Sequence, residues 1–307
     1  MRYVTEAEVA RTLTPARALD AAREAMLALA HGTVEMPERH ALGADGGAYL
    51  VMPASSAEAG LGTKLVTVHA GNAARGLPTI HSLYVLQSAQ TGETLAVIEA
   101  RTLTERRTAA TSALAARLLA PPDARVLGVL GAGPQAYAQA EAHLHVHPYR
   151  QVLIWNRTPE GARTFVRTLR EAGHDAQMVR SPTELAHRAD VLSAATRAAE
   201  PLIQGARLRG AQHLDLVGAF RPDMREADVA AVRRALVVVD QERAARAGAG
   251  DLLQAECEGW PWQVVELPRL VAGTASVARS GVTLFKSVGL GALDLFAARA
   301  VLRALDL

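Results

Sequence analysis

Residues 125–158 read RVLGVLGAGPQAYAQAEAHLHVHPYRQVLIWNRT, and the order of apolar runs and glycines is that of a strand, a tight turn, a helix and a second strand. Residues 126–130 are an apolar run of buried-strand length. Gly131, Ala132 and Gly133 follow, with Ala136 three residues on, so the G-x-G-x-x-[GA] spacing sits where strand gives way to helix. The first glycine permits the tight turn, the second lets backbone approach a pyrophosphate, and the small third residue lets helix and strand pack closely. Amide groups at the helix start, with the positive end of its dipole, then face the phosphates. The segment predicts an α/β fold with a Rossmann-type, doubly wound parallel sheet that binds a dinucleotide.

The end of the second strand refines the ligand. An acidic residue there accepts hydrogen bonds from the adenosine ribose of NAD, whereas an arginine accommodates the 2′-phosphate of NADP. Here the strand at 152–155 ends in Asn156, Arg157 and Thr158. No carboxylate repels a phosphate, and a guanidinium can grip one with two hydrogen bonds. NADPH is therefore expected in preference to NADH, with NADH still possible.

Composition excludes several function classes. The chain has 307 residues, half of them hydrophobic, and a net charge of +2, with no basic run of the kind that tracks a nucleic-acid backbone. Cys257 is the sole cysteine, so neither an intramolecular disulfide nor a cysteine metal cluster is available, and no metal site is expected. The N-terminus carries acids early and lacks the apolar core of a signal peptide. No window reaches the length of uninterrupted apolar residues that spans a bilayer. A soluble, cytoplasmic protein without nucleic-acid or membrane partners is the expectation.

Outward from the glycine turn, the elements fall into two sets. Thr5 and Glu8 have the spacing of a capping box, and Thr14 before Pro15 opens a helix running toward Gly32. Residues 48–55, 61–69, 79–87 and 94–99 read as strands separated by glycine-bearing turns. A helix over 104–119 stops before Pro121 and Pro122. From 125 to about 280 strands and helices alternate, with strands at 177–179, 191–194, 213–217 and 236–239, which predicts a parallel sheet covered on both faces. Residues 283–307 read as a glycine-rich lead into an amphipathic helix that returns to the first domain. The expected domains are 1–118, completed by 285–307, for dimerisation and substrate, and 119–284 for the nucleotide.

Segments along nearly the whole chain resemble the ornithine cyclodeaminase and mu-crystallin family: PER at 37–39, GTKLVT at 62–67, LPT at 77–79, LTERRTAATSALAA at 103–116, GAGPQA at 131–136, WNRT at 155–158, VGAFRPDMREAD at 217–228 and FKSVG at 285–289. The resemblance implies a homodimer in which an N-terminal α/β domain stands beside a Rossmann domain, with the site in the cleft between them. It also implies that Arg39, Lys64 and Arg107 hold a substrate α-carboxylate, which suits arginine's two-pronged grip. Thr79, Gln135, Thr196 and Ser287 match nucleotide-contacting positions in the family, and Arg107, Val217 and Gly218 join them. The bland alternatives are surface arginines, a lysine that snorkels to solvent, and ordinary turn and cap residues.

One departure selects among the family's activities. In its ornithine cyclodeaminase and alanine dehydrogenase branches the loop after the V-G pair carries a catalytic aspartate, and here Phe220 stands at that position. Phenylalanine moves no proton, so chemistry that begins by deprotonating a substrate ammonium loses its base. Asp215, five residues earlier in an expected strand, is not a ready substitute. The run HLDLVGAFRPDMRE is similar to that of bacterial reductases of Δ1-pyrroline-2-carboxylate and Δ1-piperideine-2-carboxylate. The expectation is an NAD(P)H-dependent ketimine reductase forming L-proline or L-pipecolate from a cyclic imine carboxylate. Lys64, or a water that it orients, is its candidate proton donor, and Glu256, in a segment read as loop, is a weaker one. Alternatives are an ornithine cyclodeaminase, an alanine dehydrogenase, or an NADPH-dependent ligand-binding protein of the mu-crystallin kind.

Other features receive structural readings. His143, His145 and His147 are expected at a solvated helix end, because the zinc-protease pattern would place a glutamate where Leu144 stands. Trp260 and Trp262 are expected to pack a loop. Glu226 and Asp228 are expected to favour a helix start.

Overall fold

Met1–Arg107 and the chain from Leu290 onward make one unit of the computed structural model, and Thr108–Gly289 makes the other. The structure describes residues 1–306, with their side chains except at 44, 70 and 73.

The first unit opens with β1 (Arg2–Val4), α1 (Glu6–Thr12) and α2 (Pro15–Ala30), and both helices carry the threonine caps expected of Thr5 and Thr14. Five strands of the sheet follow as β2 (Val34–Glu35), β3 (His40–Ala44), β4 (Gly47–Ser56), β5 (Gly60–His69) and β6 (Ile80–Gln87). Next come β7 (Thr94–Glu99) and α3 (Arg101–Leu119). The sheet order is β1-β7-β6-β5-β4-β2, with β3 also on β4, and only the β1–β7 pairing among these is parallel. Glycine-bearing turns and alternating burial explain why β4 and β5 form a long hairpin.

Register decides what this sheet buries. Met52, Lys64, Tyr84, Ile98 and Val4 lie directly opposite one another across five strands, and all five are buried. The last helix among the described residues, α11 (Gly291–Arg303), covers this face. Odd-numbered neighbours point the other way, among them Val51, Leu65 and Leu83 in one row and Pro53, Thr63, Val85, Val97 and Tyr3 in the next. Leu83 is 41% exposed and Tyr3 53%.

In the second unit the elements are β8 (Val126–Leu130), α4 (Pro134–Val146), β9 (Gln151–Trp155), α5 (Pro159–Glu171) and β10 (Ala176–Met178). They continue as α6 (Pro182–Arg188), β11 (Val191–Ala194), β12 (Gln212–Leu216), α7 (Val229–Arg234), β13 (Ala235–Val239), α8 (Glu242–Gly248) and α9 (Gly250–Cys257). The unit ends with β14 (Val265–Glu266), α10 (Leu267–Val271) and β15 (Val282–Lys286), and the first unit then takes back the chain as α11 (Gly291–Arg303). All strands are parallel in the order β10-β9-β8-β11-β12-β15-β13-β14. This is the doubly wound sheet predicted from residues 125–158, and its order reverses beside β8, where ligands bind in such sheets.

The unit boundaries differ from 118/119 and 284/285. The first falls inside α3, because Ala116 and Ala120 at the end of that helix pack with Leu127, Val129 and Ala140 of the parallel sheet and its helix. The second lies beyond FKSVG, because residues 282–286 form β15 between β12 and β13 where a helix lead-in is expected. Its residues are all buried, so a continuous apolar run with one lysine is a central strand. The QAECEG segment is likewise mostly helical, since α9 runs to Cys257.

Candidate active site

In the first unit, Lys64 enters the interior because β5 alternates and position 64 falls on the α11 side. A buried ammonium needs a partner. It finds Asp294 of α11, whose Oδ1 accepts a hydrogen bond from Lys64 Nζ at 2.9 Å while Oδ2 lies 2.8 Å away. Arg107 Nε of α3 donates to the same Oδ1 at 2.8 Å. Two cations thus share one carboxylate, and all three groups are nearly or fully inaccessible to water. Arg39, half-buried in the segment before β3, adds its positive field at Lys64. Burial first, then the Arg107 guanidinium, pushes the Lys64 pKa down to about 8, with Asp294 opposing the drop and Arg39 adding to it.

Sequence reasoning found the three cations and missed the anion that Lys64 and Arg107 share. Asp294 is the one charged residue in a run, LGALDLFAA, that is otherwise apolar, which is a signal for a buried partnered carboxylate. The lysine count was a second signal: the whole chain has two, Lys64 and Lys286, and both are buried against aspartates. Tyr84, directly across from Lys64, was also missed. Its hydroxyl is buried without a hydrogen-bond partner, and burial followed by the charge of Asp294 raises its pKa well above the usual value. Gly62 makes room for that ring, since a β-carbon there would collide with the phenol.

In the second unit the glycine turn has the predicted geometry. Gly131 has φ +111°, and a β-carbon on it would stand 2.8 Å from the Ala195 carbonyl oxygen, so only glycine fits. Gly133 is the N-cap of α4, with Pro134 beginning the helix and no side chain capping it, and a β-carbon built there meets nothing within 4 Å. An uncapped helix start beside open space is a fitting seat for phosphate oxygens. Ala136 is fully buried, whereas Ala132 and Gln135 are half-buried at the turn. At the end of β9, Asn156 Nδ2 donates to the Thr158 carbonyl and hydroxyl oxygens at 2.9 and 2.8 Å, which folds the N-R-T ending back on itself. Arg157 is exposed there. The residues present fit a dinucleotide.

The ends of β11 and β12 are tied together by a residue read from sequence as a helix-start acid. Glu226 is fully buried and accepts hydrogen bonds from the Thr196 amide and hydroxyl at 2.7 and 2.8 Å and from the Gly218 amide at 2.8 Å. Burial pushes its pKa up to about 7, with Lys286 working against the rise and Asp251 adding to it. Lys286 Nζ lies 2.8 Å from Asp251 Oδ2, and Asp251 Oδ1 accepts from the Glu226 and Ala227 amides. The helix-start role falls to Asp228 alone, which caps α7. Val217 continues the ladder by donating its amide to the Ala194 carbonyl. Ser287 donates its hydroxyl to Asp240 Oδ2 at 2.8 Å, and the same oxygen accepts from the Val288 and Gly289 amides.

Thr79 and Arg107, expected among the nucleotide contacts, belong to the first unit, where the Thr79 carbonyl accepts the His69 amide. His143 corrects the solvated-helix reading: it is fully buried, and its Nε2 lies 3.2 Å from Asp215 Oδ2, which also accepts from Ser193 Oγ at 2.6 Å. Among the described residues no group of three or more His, Cys, Asp or Glu could hold a metal. Asp215 is therefore committed inside β12, and Phe220 follows it in the loop without an acid at its position. Glu256 is 42% exposed on α9, with its carboxylate 3.5 Å from the Arg246 guanidinium. Trp260 packs into the second unit's core with Trp262 against it, as expected of loop packing. No helix is long and apolar enough to cross a membrane among the described residues.

Residues 1–305 match the sequence profile of the ornithine cyclodeaminase/mu-crystallin family. Ketimine reductase mu-crystallin of Mus musculus is 37% identical over 252 residues, covering 82% of this chain and 78% of that protein. Δ1-pyrroline-2-carboxylate reductase of Paracoccus denitrificans is 34% identical over 256 residues, 80% of each. The solved structure of Thermococcus litoralis Δ1-pyrroline-2-carboxylate reductase, in complex with NADH and L-proline, superposes with a TM-score of 0.95 at 29% identity, covering 100% of this chain and 98% of that one.

Proposed function

The chain belongs to the ornithine cyclodeaminase/mu-crystallin family, and we propose that it is a ketimine reductase that reduces cyclic imine carboxylates with a nicotinamide cofactor, NADPH in preference to NADH. The observation that carries this reading is the buried Lys64–Asp294–Arg107 group, two cations on one carboxylate with Arg39 nearby. Such a site gains most from a small anionic ligand, and the α-carboxylate of Δ1-pyrroline-2-carboxylate or Δ1-piperideine-2-carboxylate supplies the charge. The named activities of the mouse and Paracoccus relatives support the same substrate class.

Gly131, Ala132, Gly133, Gln135, Asn156, Arg157, Thr158, Thr196, Val217, Gly218 and Ser287 would hold the reduced nicotinamide cofactor, which would supply a hydride. Arg39 and Arg107 grip the carboxylate and so orient C2 of the ring. Lys64, with its pKa lowered to about 8, is placed to give its proton to the ring nitrogen, the half of the reduction that this chain's own residues supply. Exposed Arg157 and the missing acid at 156–158 support the NADPH preference. The outer sheet face carrying Leu83 and Tyr3 supports a homodimer, in which a second copy covers that apolar surface. Phe220 argues against cyclodeaminase and amino acid dehydrogenase chemistry, since nothing at that position accepts an ammonium proton.

The test is NADPH oxidation with Δ1-pyrroline-2-carboxylate beside ammonia release from L-ornithine with NAD. Rapid oxidation with the imine and no ammonia from ornithine is the expected result. Ammonia release would overturn the reading, and binding of imine and NADPH without turnover would replace it with a ligand-binding role.

A further inference from the structure

The chain uses arginine almost everywhere a cation is needed, and it keeps lysine at 64 and 286 alone. Arginine holds its proton at every accessible pH, and lysine in a buried site does not. A lysine retained at position 64 therefore offers a proton that can leave, and whatever holds that proton controls the site.

We propose that Asp294 is the positioning residue of this site: its single carboxylate sets the places of Lys64 Nζ and Arg107 Nε and governs how readily Lys64 releases its proton. The chemical consequence rests on the reductase reading, whereas the hold on the proton does not. Geometry carries the proposal. Oδ1 accepts from both cations at 2.9 and 2.8 Å, and Oδ2 stands 2.8 Å from the ammonium, so the two cationic nitrogens lie within about 6 Å of each other. Asp294 is fully buried, so its charge acts on the two cations with little screening by water.

The groups acting on Lys64 come from every element around it. Arg107 approaches from α3, Arg39 from the segment before β3, Asp294 from α11, and Tyr84 lies across from it on β6. Of these Asp294 is the anion, and its charge and hydrogen bond oppose the two guanidinium groups. In the reduction, the imine C2 accepts the hydride of the reduced nicotinamide, the ring nitrogen accepts the Lys64 proton, and a new N–H and C–H bond replace the C=N π bond. Lys64 is left neutral and regains a proton from solvent. Asp294 touches no reacting atom and works through Lys64.

With two lysines in the chain, protein labelled with 13C at lysine Cε gives two resonances, and Lys64→Met assigns the one that belongs to Lys64. In the wild type that resonance is expected to titrate near pH 8. In Asp294→Asn the midpoint falls by about one to three pH units, the effect of losing an adjacent opposite charge. The alkaline limb of kcat/KM for the cyclic imine moves down with it, while the KM for NADPH stays within about threefold. A folded Asp294→Asn protein whose Lys64 midpoint is unmoved overturns the proposal. If that variant does not fold, Asp294→Glu keeps the charge but displaces it: a midpoint near the wild type with kcat/KM lowered at least about tenfold supports positioning, and full kcat/KM overturns it. A Lys64 midpoint that moves in a protein inert toward cyclic imines upholds the role of Asp294 and removes the reductase reading.

Discussion

Lys286→Met tests whether the second buried lysine holds the nucleotide unit together. Lys286 and Asp251 are both fully buried, 2.8 Å apart, and at that distance two unit charges attract by about 6 kcal/mol in a medium of effective dielectric constant near 20. Much of that attraction offsets desolvation, so the measurable quantity is the cost of stranding the partner, about 3–5 kcal/mol. Asp251 retains two backbone hydrogen bonds on Oδ1, and methionine fills nearly the same volume, so the lower end applies. A loss of about 3 kcal/mol is roughly a 150-fold change in the unfolding equilibrium. Glu226 also loses the cation that holds its pKa down, so more of it is protonated at neutral pH, and its grip on Thr196 and Gly218 weakens. Urea unfolding followed by tryptophan fluorescence reads this unit alone, because Trp155, Trp260 and Trp262 all lie within it. Replacing Asp251 by asparagine as well should restore part of the loss, since no charge is then stranded and the side-chain oxygen still accepts from the Glu226 and Ala227 amides. A single variant within about 1 kcal/mol of wild type, or a double variant as unstable as the sum of the singles, would refute the reasoning.

Three further outcomes follow from the sites. Lys64→Ala should lower turnover with a cyclic imine at least about tenfold, because a positioned general acid contributes that much or more; near-normal turnover would remove its assigned role. Arg157→Ala should raise the KM for NADPH about tenfold while leaving that for NADH little changed, and equal effects on both would show that this guanidinium does not read the 2′-phosphate. Gly131→Ala places a β-carbon against the Ala195 carbonyl at a positive φ, so thermal denaturation should register about 1–3 kcal/mol of strain together with loss of the stabilisation that added NADPH confers. A variant with unchanged midpoint and normal NADPH protection would show that the turn tolerates a side chain.

The parts of the molecule that sequence made legible are those whose physics is local. Thr5 and Thr14 cap helices because a side-chain oxygen two or three residues away satisfies an orphan amide. The turn at Gly131 is read from spacing because its φ is permitted to glycine alone, and the sheet it anchors follows from alternating elements. Strand β15 escaped because a short apolar run has the same composition as a buried helix start, and its place between β12 and β13 is set by partners that lie far away along the chain. His143 escaped for a similar reason: neighbours in sequence suggested a solvated end, and Asp215, from another element, draws it inside.

Sequence by itself determined the dinucleotide fold, the family and the three cations of the candidate carboxylate site, since glycine geometry and motif spacing are written in consecutive residues. Tertiary structure decided what those cations do. Lys64 and Asp294 are 230 residues apart, and only the packing of α11 beneath β5 makes one carboxylate the shared partner of Lys64 and Arg107. A charge buried on a strand must find its counter-charge through space, and no local periodicity specifies where along the chain that partner lies.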